Sequence, residues 1–345
     1  MNRKEFGKQG NSLEANHTIY GQNLVDSMDY LNTLFSSDKA TDIIEFYNKF
    51  RSKEELIEWM MARPKGTAQV HEVDGKKDII VVIPTIDCNG TLAKTCRDEI
   101  FKGFHIIFVE SGRNNPYFNY AHNCNVGIRK ALEYSPKWII ISNDDMKKKD
   151  DPEILRSEIN RYDPEIFAIL FAETSKNHSM KIHMGKLNKI GLIIMYLSRF
   201  FPTSLISSTT NMNFLRTVFR FKKFLARYKI SAKYGVTPYY FTTSKRWSLY
   251  MKESHSYTLF QDFAIFSSKY ITERRNGVLF DETFINAHED QMISLELSKT
   301  KHKEEHLHYS IDSQGGASLG ESLERALRTT ASDIYLSVKL DSGDL

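Results

Sequence analysis

In Trp138-Ile139-Ile140-Ile141-Ser142-Asn143-Asp144-Asp145-Met146, a β-branched apolar run stops at a cluster of oxygen ligands. A short apolar run bounded in this way predicts a fully buried strand of a parallel sheet. Ligands of open α/β sheets bind just past the carboxyl ends of the strands. The strand therefore delivers Asn143, Asp144 and Asp145 to the mouth of a site. Adjacent carboxylates repel unless a cation lies between them, and hard oxygen donors suit Mg²⁺ or Mn²⁺. The plainer alternative is a solvated turn capping a helix that opens near Pro152.

Outward from this stretch, strands and helices alternate. Residues 78–84 and 105–110 predict two more strands, with helices over 92–101 and 119–134. After 138–142, Pro152 opens a helix through 162, and 166–172 is a fourth strand. This βαβαβαβ order predicts an α/β fold with a mostly parallel sheet flanked by helices. No G-x-G-x-x-G follows any strand and no G-x-x-x-x-G-K-[ST] occurs, so the usual dinucleotide and P-loop phosphate cradles are missing.

The remainder of the 345 residues frames that core. Residues 1–75 are expected to form a helical extension: polar to about 20, then helical stripes, with Ser52-Lys53-Glu54-Glu55 as a capping box. Residues 173–235 depart from the alternation. Within them, 214–233 interleaves Phe and Leu with Arg216, Arg220, Lys222, Lys223, Arg227, Lys229 and Lys233 and contains no acid. Such a helix suits a membrane surface; packing on the domain with its cations in water explains it equally. Strands are expected at 236–243 and 257–266, then a helix opening at Glu289-Asp290, where the helix dipole favours negative charge. Residues 299–308 read as a charged surface segment, and Gly315-Gly316 precedes a last amphipathic stretch over 319–340.

Composition narrows the classes. Apolar content of 41%, charged content of 26% and a net charge of +4 are ordinary for a globular chain and do not call for nucleic acid. Three cysteines without C-x-x-C spacing argue against a disulfide framework and a structural zinc site. No signal peptide is expected, and no apolar run approaches the roughly 18 residues that span a bilayer. A cytoplasmic location, peripheral at the inner face of the cell membrane, follows as the expectation.

In this order the motifs resemble those of the family 2 glycosyltransferases of the GT-A fold, over roughly 78–172 and 256–318. The segment 78–85 is similar to the family's first strand, whose end touches the nucleotide. Val109-Glu110-Ser111-Gly112 resembles its Val-Asp-x-x-Ser stretch at the base, with Glu110 in place of Asp. Asn123-Cys124-Asn125-Val126-Gly127 resembles its Asn-x-Gly helix start, and Asn143-Asp144-Asp145 stands where it has a metal-binding Asp-x-Asp. Phe280-Asp281-Glu282 and His288-Glu289-Asp290 resemble its Phe-Asp-Glu and Glu-Asp motifs, and His308 its late histidine.

The resemblance implies a GT-A domain over 76–318 with a tail over 319–345. It implies Asp290 as catalytic base with Glu289 beside it. Pro84, Thr85, Glu110, Gly112, Arg113, Asn123, Asn125 and Asp144 would meet the nucleotide, and Asp145, Asn143 and His308 would hold Mn²⁺ or Mg²⁺. The expected activity is inverting transfer from a nucleotide-sugar, UDP-sugar first, to a glycan or lipid-linked acceptor, with residues 190–233 at a membrane surface and no nucleic-acid partner. Two alternatives stay open: a metal-dependent nucleotidyltransferase, and a non-catalytic membrane-surface protein that keeps the fold.

Overall fold

The computed structural model describes residues 27–113, 115–174, 179–197, 226–275, 277–300, 302–313 and 322–343. Three helices come first: 27–36 (α1), Ala40–Asn48 (α2) and Lys53–Ala62 (α3). Ser52 caps α3 as expected, its hydroxyl accepting the Glu55 amide at 3.3 Å, while Glu55 reaches back to the Arg51 amide at 2.7 Å.

The α/β core follows: β1 (Gln69–Val73), β2 (Lys76–Thr85), α4 (Thr91–Thr95) running into a π turn at Cys96–Ile100, β3 (Phe104–Glu110), α5 (Tyr120–Leu132), β4 (Trp138–Ser142), β5 (Met146–Lys148), α6 (Pro152–Ile159) and β6 (Phe167–Thr174). Next are β7 (Ser179–Leu187), α7 (Lys189–Leu197), helical residues 226–233 (α8), β8 (Tyr240–Thr242), β9 (Met251–Phe260) and β10 (Phe263–Ser267). The chain continues with α9 (Ser268–Arg275), α10 (Glu289–Lys299), β11 (Lys303–Ser313) and α11 (Leu323–Ser342).

Eight strands form one sheet in the order β1-β3-β2-β4-β10-β6-β11-β5. β2, β3, β4, β6 and β11 run one way; β1, β5 and β10 run against them. Most strands share a direction, but the sheet is mixed: β10 enters antiparallel between β4 and β6, where sequence order predicts an unbroken parallel set. Both faces are covered, which is why 79–83 and 138–142 are buried throughout. On one face Ile79, Val81 and Ile83 meet Cys96, Ile100, Leu155 and Ile159; on the other Ile80, Val82 and Val109 meet Cys124, Ile128 and Ile293. Gly127 lets α5 lie close on the sheet, since a Cβ there would fall 2.3 Å from Val82 Cγ1.

Several expected boundaries move. The extension is not wholly helical, because β1 joins the edge of the main sheet. Nor is it separate from the tail: Phe35, Phe46, Tyr47 and Trp59 share one core with Ile230, Tyr234, Leu327, Ala331 and Ile334. Segment 299–308 contributes to β11, whose Leu307, Tyr309 and Ile311 are buried beneath charged neighbours. Part of the expected insert is a strand, β7, in a second sheet ordered β8-β7-β9. The expected strand 257–266 is broken at Gln261-Asp262, where the chain leaves the small sheet and enters the large one.

Of the basic segment, Arg216, Arg220, Lys222 and Lys223 lie outside the described residues. Its far end packs on the protein: Ile230 is buried, Arg227 is ion-paired with Asp333, and Lys233 Nζ donates to the Tyr47 carbonyl at 2.7 Å. Among the described residues, no helix is long and apolar enough to cross a membrane.

Candidate active site

The carboxyl ends of β2, β3 and β4 lie side by side, with Thr85 opposite Glu110 in the ladder. Past β4, Asp144 accepts the Thr85 hydroxyl at 2.7 Å. Asp145 is 7% exposed and its Oδ1 is buried without a partner. The helix-cap alternative fails, because α6 is capped by Asp151, which accepts the Glu153 amide at 3.0 Å. Burial pushes the carboxyl of Asp144 up, against the pull of Thr85. Burial also raises Asp145, which the charges of Asp262 and Asp144 raise further.

Asn143 is used by the protein itself. Its amide nitrogens donate to Asp262, Nδ2 to Oδ1 and the main-chain N–H to the carbonyl, each at 3.0 Å. Its Oδ1 accepts the Tyr120 hydroxyl at 3.2 Å. Asn143, expected as a cation ligand, thus spends its amide nitrogen on Asp262 and one of the two acceptor positions of its oxygen on Tyr120, so that it also positions a carboxylate. That carboxylate, Asp262, sits at the corner between β9 and β10, directly across the ladder from the end of β4.

The second acidic cluster opens α10. Residues Asn286 and His288 before it take left-handed backbone conformations, with φ of 53° and 73°. The Asn286 side chain accepts the Tyr120 amide at 2.9 Å, so the residue that touches Asn143 also anchors the approach to α10. Glu289 is 7% exposed, with Oε2 buried and unpartnered. Burial and then the charge of Asp290 push Glu289 up to about 7. Burial pushes Asp290 up to about 6, opposed by the Gln291 amide and His288 and reinforced by Asp262. Asp262 thus acts on Asp145 and Asp290 alike, and the two acidic clusters, distant in sequence, share one electrostatic neighbourhood. Beside them the Tyr257 hydroxyl is buried without a partner, and Asp290 adds to the burial that raises its pKa.

Behind α10, His288 Nε2 meets Asp333 Oδ1 at 2.6 Å and Asp333 pairs with Arg227. Burial opposes charge on both, yet Asp333 raises His288, and Arg227 followed by His288 holds the Asp333 carboxyl low.

The residues expected at the nucleotide divide. Pro84 and Thr85 end β2 at the site. Glu110 accepts the Cys88 amide at 2.9 Å, Gly112 has the left-handed φ of 72°, and Arg113 is exposed, 3.8 Å from Asp87. Asn123 is 1% exposed with both ends of its amide unpartnered. Asn125 corrects the expectation: it donates to the Phe280 carbonyl at 2.8 Å and Glu282 at 3.0 Å and accepts the amides of Leu279 and Phe280. It clamps α5 to the 279–282 segment and has nothing left for a nucleotide. Asp281 and Glu282 are bolts of the same kind, Asp281 to Tyr335 and Lys339, Glu282 to His122 and Asn125.

His308 is exposed on β11 and does not join Asp144 and Asp145 in a closed set of ligand atoms. Among the described residues, the group of three or more His, Cys, Asp or Glu whose ligand atoms lie within 4.8 Å of one another is His71, Cys88 and Glu110. Asp144, Asp145 and Asp262 do not form such a group; what the β4 end offers a hard cation is the orphaned Asp145 Oδ1, with Asp144 beside it.

Sequence reasoning missed Asp262 and Tyr120. The one signal for Asp262 was the polar pair Gln261-Asp262 inside an otherwise apolar run. In comparison with known proteins, no family model, curated protein or solved structure matches this chain.

Proposed function

We propose that this chain is an inverting, metal-dependent glycosyltransferase of GT-A type that moves a sugar from a nucleotide donor to a hydroxyl acceptor. The observation that carries this reading is a chain of contacts at the carboxyl edge of the sheet: Asn143, next to the 144/145 pair, holds Asp262 and Tyr120, and Tyr120 is tied to Asn286 on the approach to Glu289-Asp290. Asp290, raised to about 6, is mostly ionised at neutral pH yet basic enough to take the acceptor proton. The acceptor oxygen then attacks the anomeric carbon from the side opposite the nucleotide, the bond to the diphosphate breaks, and the configuration inverts. Asp145, with Asp144 beside it, would hold Mn²⁺ or Mg²⁺, which when bound neutralises charge growing on the leaving diphosphate. Glu289 shares the proton load of Asp290. Thr85 keeps Asp144 oriented, and Gly112 and Glu110 line the neighbouring strand end, where the nucleotide would lie.

A panel of nucleoside diphosphates and nucleotide-sugars, UDP-sugars first, tests donor binding with and without Mn²⁺ by thermal shift, since a ligand of the native state raises its stability. Transfer to a glycan and lipid-linked acceptor panel then falls ~10²–10⁴-fold in Asp290→Asn, the range for loss of a general base. Asp145→Asn abolishes the Mn²⁺ dependence of donor binding. Both variants behaving as wild type overturns the assignment.

For the acceptor side we propose an anionic membrane surface. Ile190 and Ile193 of α7 and Trp247 and Leu249 of the adjoining 247–250 turn are at least half exposed, with Lys189, Lys245 and Arg246 exposed around them. Asn188 pins that turn to α7, its side-chain amide donating to the Leu249 carbonyl at 2.8 Å. An apolar face rimmed by cations suits lipid headgroups. The chain should sediment with phosphatidylserine vesicles at low salt; Ile193→Ser with Leu249→Ser should abolish this. Unaltered sedimentation removes the proposal.

A further inference from the structure

We propose that His71, Cys88 and Glu110 form a site for a zinc-class divalent cation at the outer edge of the main sheet. The three side chains converge from two strands, β1 and β3, and from the turn that follows β2. Antiparallel pairing sets His71 opposite Phe108, so Glu110, two residues on, lies diagonally across on the same face. Cys88 sits three residues past Thr85, which is itself opposite Glu110. The ligand atoms all lie within 4.8 Å of one another, and His71 Nε2 is 3.7 Å from Glu110 Oε2. Bond lengths of ~2.0–2.3 Å in a tetrahedral zinc site put ligand atoms about 3.3–3.6 Å apart. The set therefore needs closure by no more than about an ångström, and His71, being exposed, is free to supply it.

The donor chemistry selects the ion. Thiolate and imidazole favour zinc over the hard cations that suit the Asp145 cluster. Binding displaces the thiol proton of Cys88 to solvent and forms the sulfur–metal bond in its place. Three protein ligands leave the fourth position open to water.

The site shares Glu110 with the strand end assigned above to the nucleotide, so zinc and nucleotide compete for it. This second part rests on the proposed function; metal binding itself does not.

Chelator-stripped full-length protein is titrated with Zn²⁺ by calorimetry in buffers of differing protonation enthalpy, and with Co²⁺ by absorbance. One ion per chain, proton release and a thiolate-to-cobalt charge-transfer band are expected. Cys88→Ser should remove the band, and Cys88→Ser and His71→Ala should each weaken Zn²⁺ at least tenfold without altering the circular dichroism. Absence of the band in the wild type, or undiminished Zn²⁺ affinity in both variants, overturns the site. UDP affinity should fall at least fivefold on zinc loading in the wild type and stay constant in Cys88→Ser. Zinc bound with UDP affinity unchanged overturns the competition. Zinc bound with no nucleotide recognised at all sinks the proposed function and leaves the metal site standing.

Discussion

Asn143 holds Asp262 by two hydrogen bonds of 3.0 Å, one from its side chain and one from its main chain. The end of β4 and the β9–β10 corner are thereby fixed together, and Tyr120 is secured to the other end of the same amide. Asn143→Ala removes both side-chain contacts. Leaving the Tyr120 hydroxyl and the Asp262 carboxylate short of partners should cost about 1–3 kcal/mol, read as a lower denaturation midpoint. Transfer should fall at least tenfold, as misplacement of catalytic groups does. Asn89→Ala, at an exposed loop residue, serves as the control.

Burial raises both Asp145 and Asp290, and the charge of Asp262 adds to each. Asp290 must be ionised to act as base, so kcat/KM should fall as pH drops through about 6. Asp262→Asn removes a like charge and should shift this acid limb to lower pH. A profile whose midpoint stays in place, or moves up, removes Asp262 from the site's electrostatics.

Glu289 gives a prediction about stability. Its folded pKa, about 7, stands above the ordinary 4.5 of a glutamate. Between these values the folded chain holds a proton that the unfolded chain has released, so stability declines as pH rises from about 4.5 to 7. Glu289→Gln should flatten that slope and raise stability at pH 8 by about 1–3 kcal/mol. Chemical denaturation at pH 5 and pH 8 reads the difference.

Gly127 is required by packing. A Cβ there would meet Val82 Cγ1 at 2.3 Å and Val109 Cγ2 at 2.9 Å. Overpacking of ~1–3 kcal/mol outweighs the helix-propensity gain of about 1 kcal/mol from Gly to Ala. Gly127→Ala should therefore lower the melting temperature, and Val82→Ala in the same chain should restore part of the loss.

The parts of the molecule legible in the sequence are those whose signal is local. β2, β3, β4 and β6 are continuous apolar runs, α3 and α6 carry their caps, and the acidic pairs 144/145 and 289/290 stand out as pairs. What stayed hidden is pairing. Nothing in Phe263–Ser267 says that it enters between β4 and β6, because a buried strand looks the same beside any neighbour. β1 is a mostly exposed edge strand with little apolar pattern, and β11 masks Leu307, Tyr309 and Ile311 under its charges. Asp262 was invisible for the same reason: its role comes from a turn between two sheets, and only the fold sets it against Asn143. Asn125, expected at the nucleotide, and Glu282, part of the Phe-Asp-Glu resemblance, satisfy each other, and Asn125 also satisfies the 279–280 backbone.

The core shared by Phe46, Trp59, Leu327 and Ile334 has a consequence for how the polypeptide is made. Aromatic side chains at 46 and 59 obtain part of their cover from a helix that begins at Leu323. On the ribosome those rings wait, wet and adhesive, until that helix has been made. A nascent chain stalled ahead of that helix should be the species that chaperones capture.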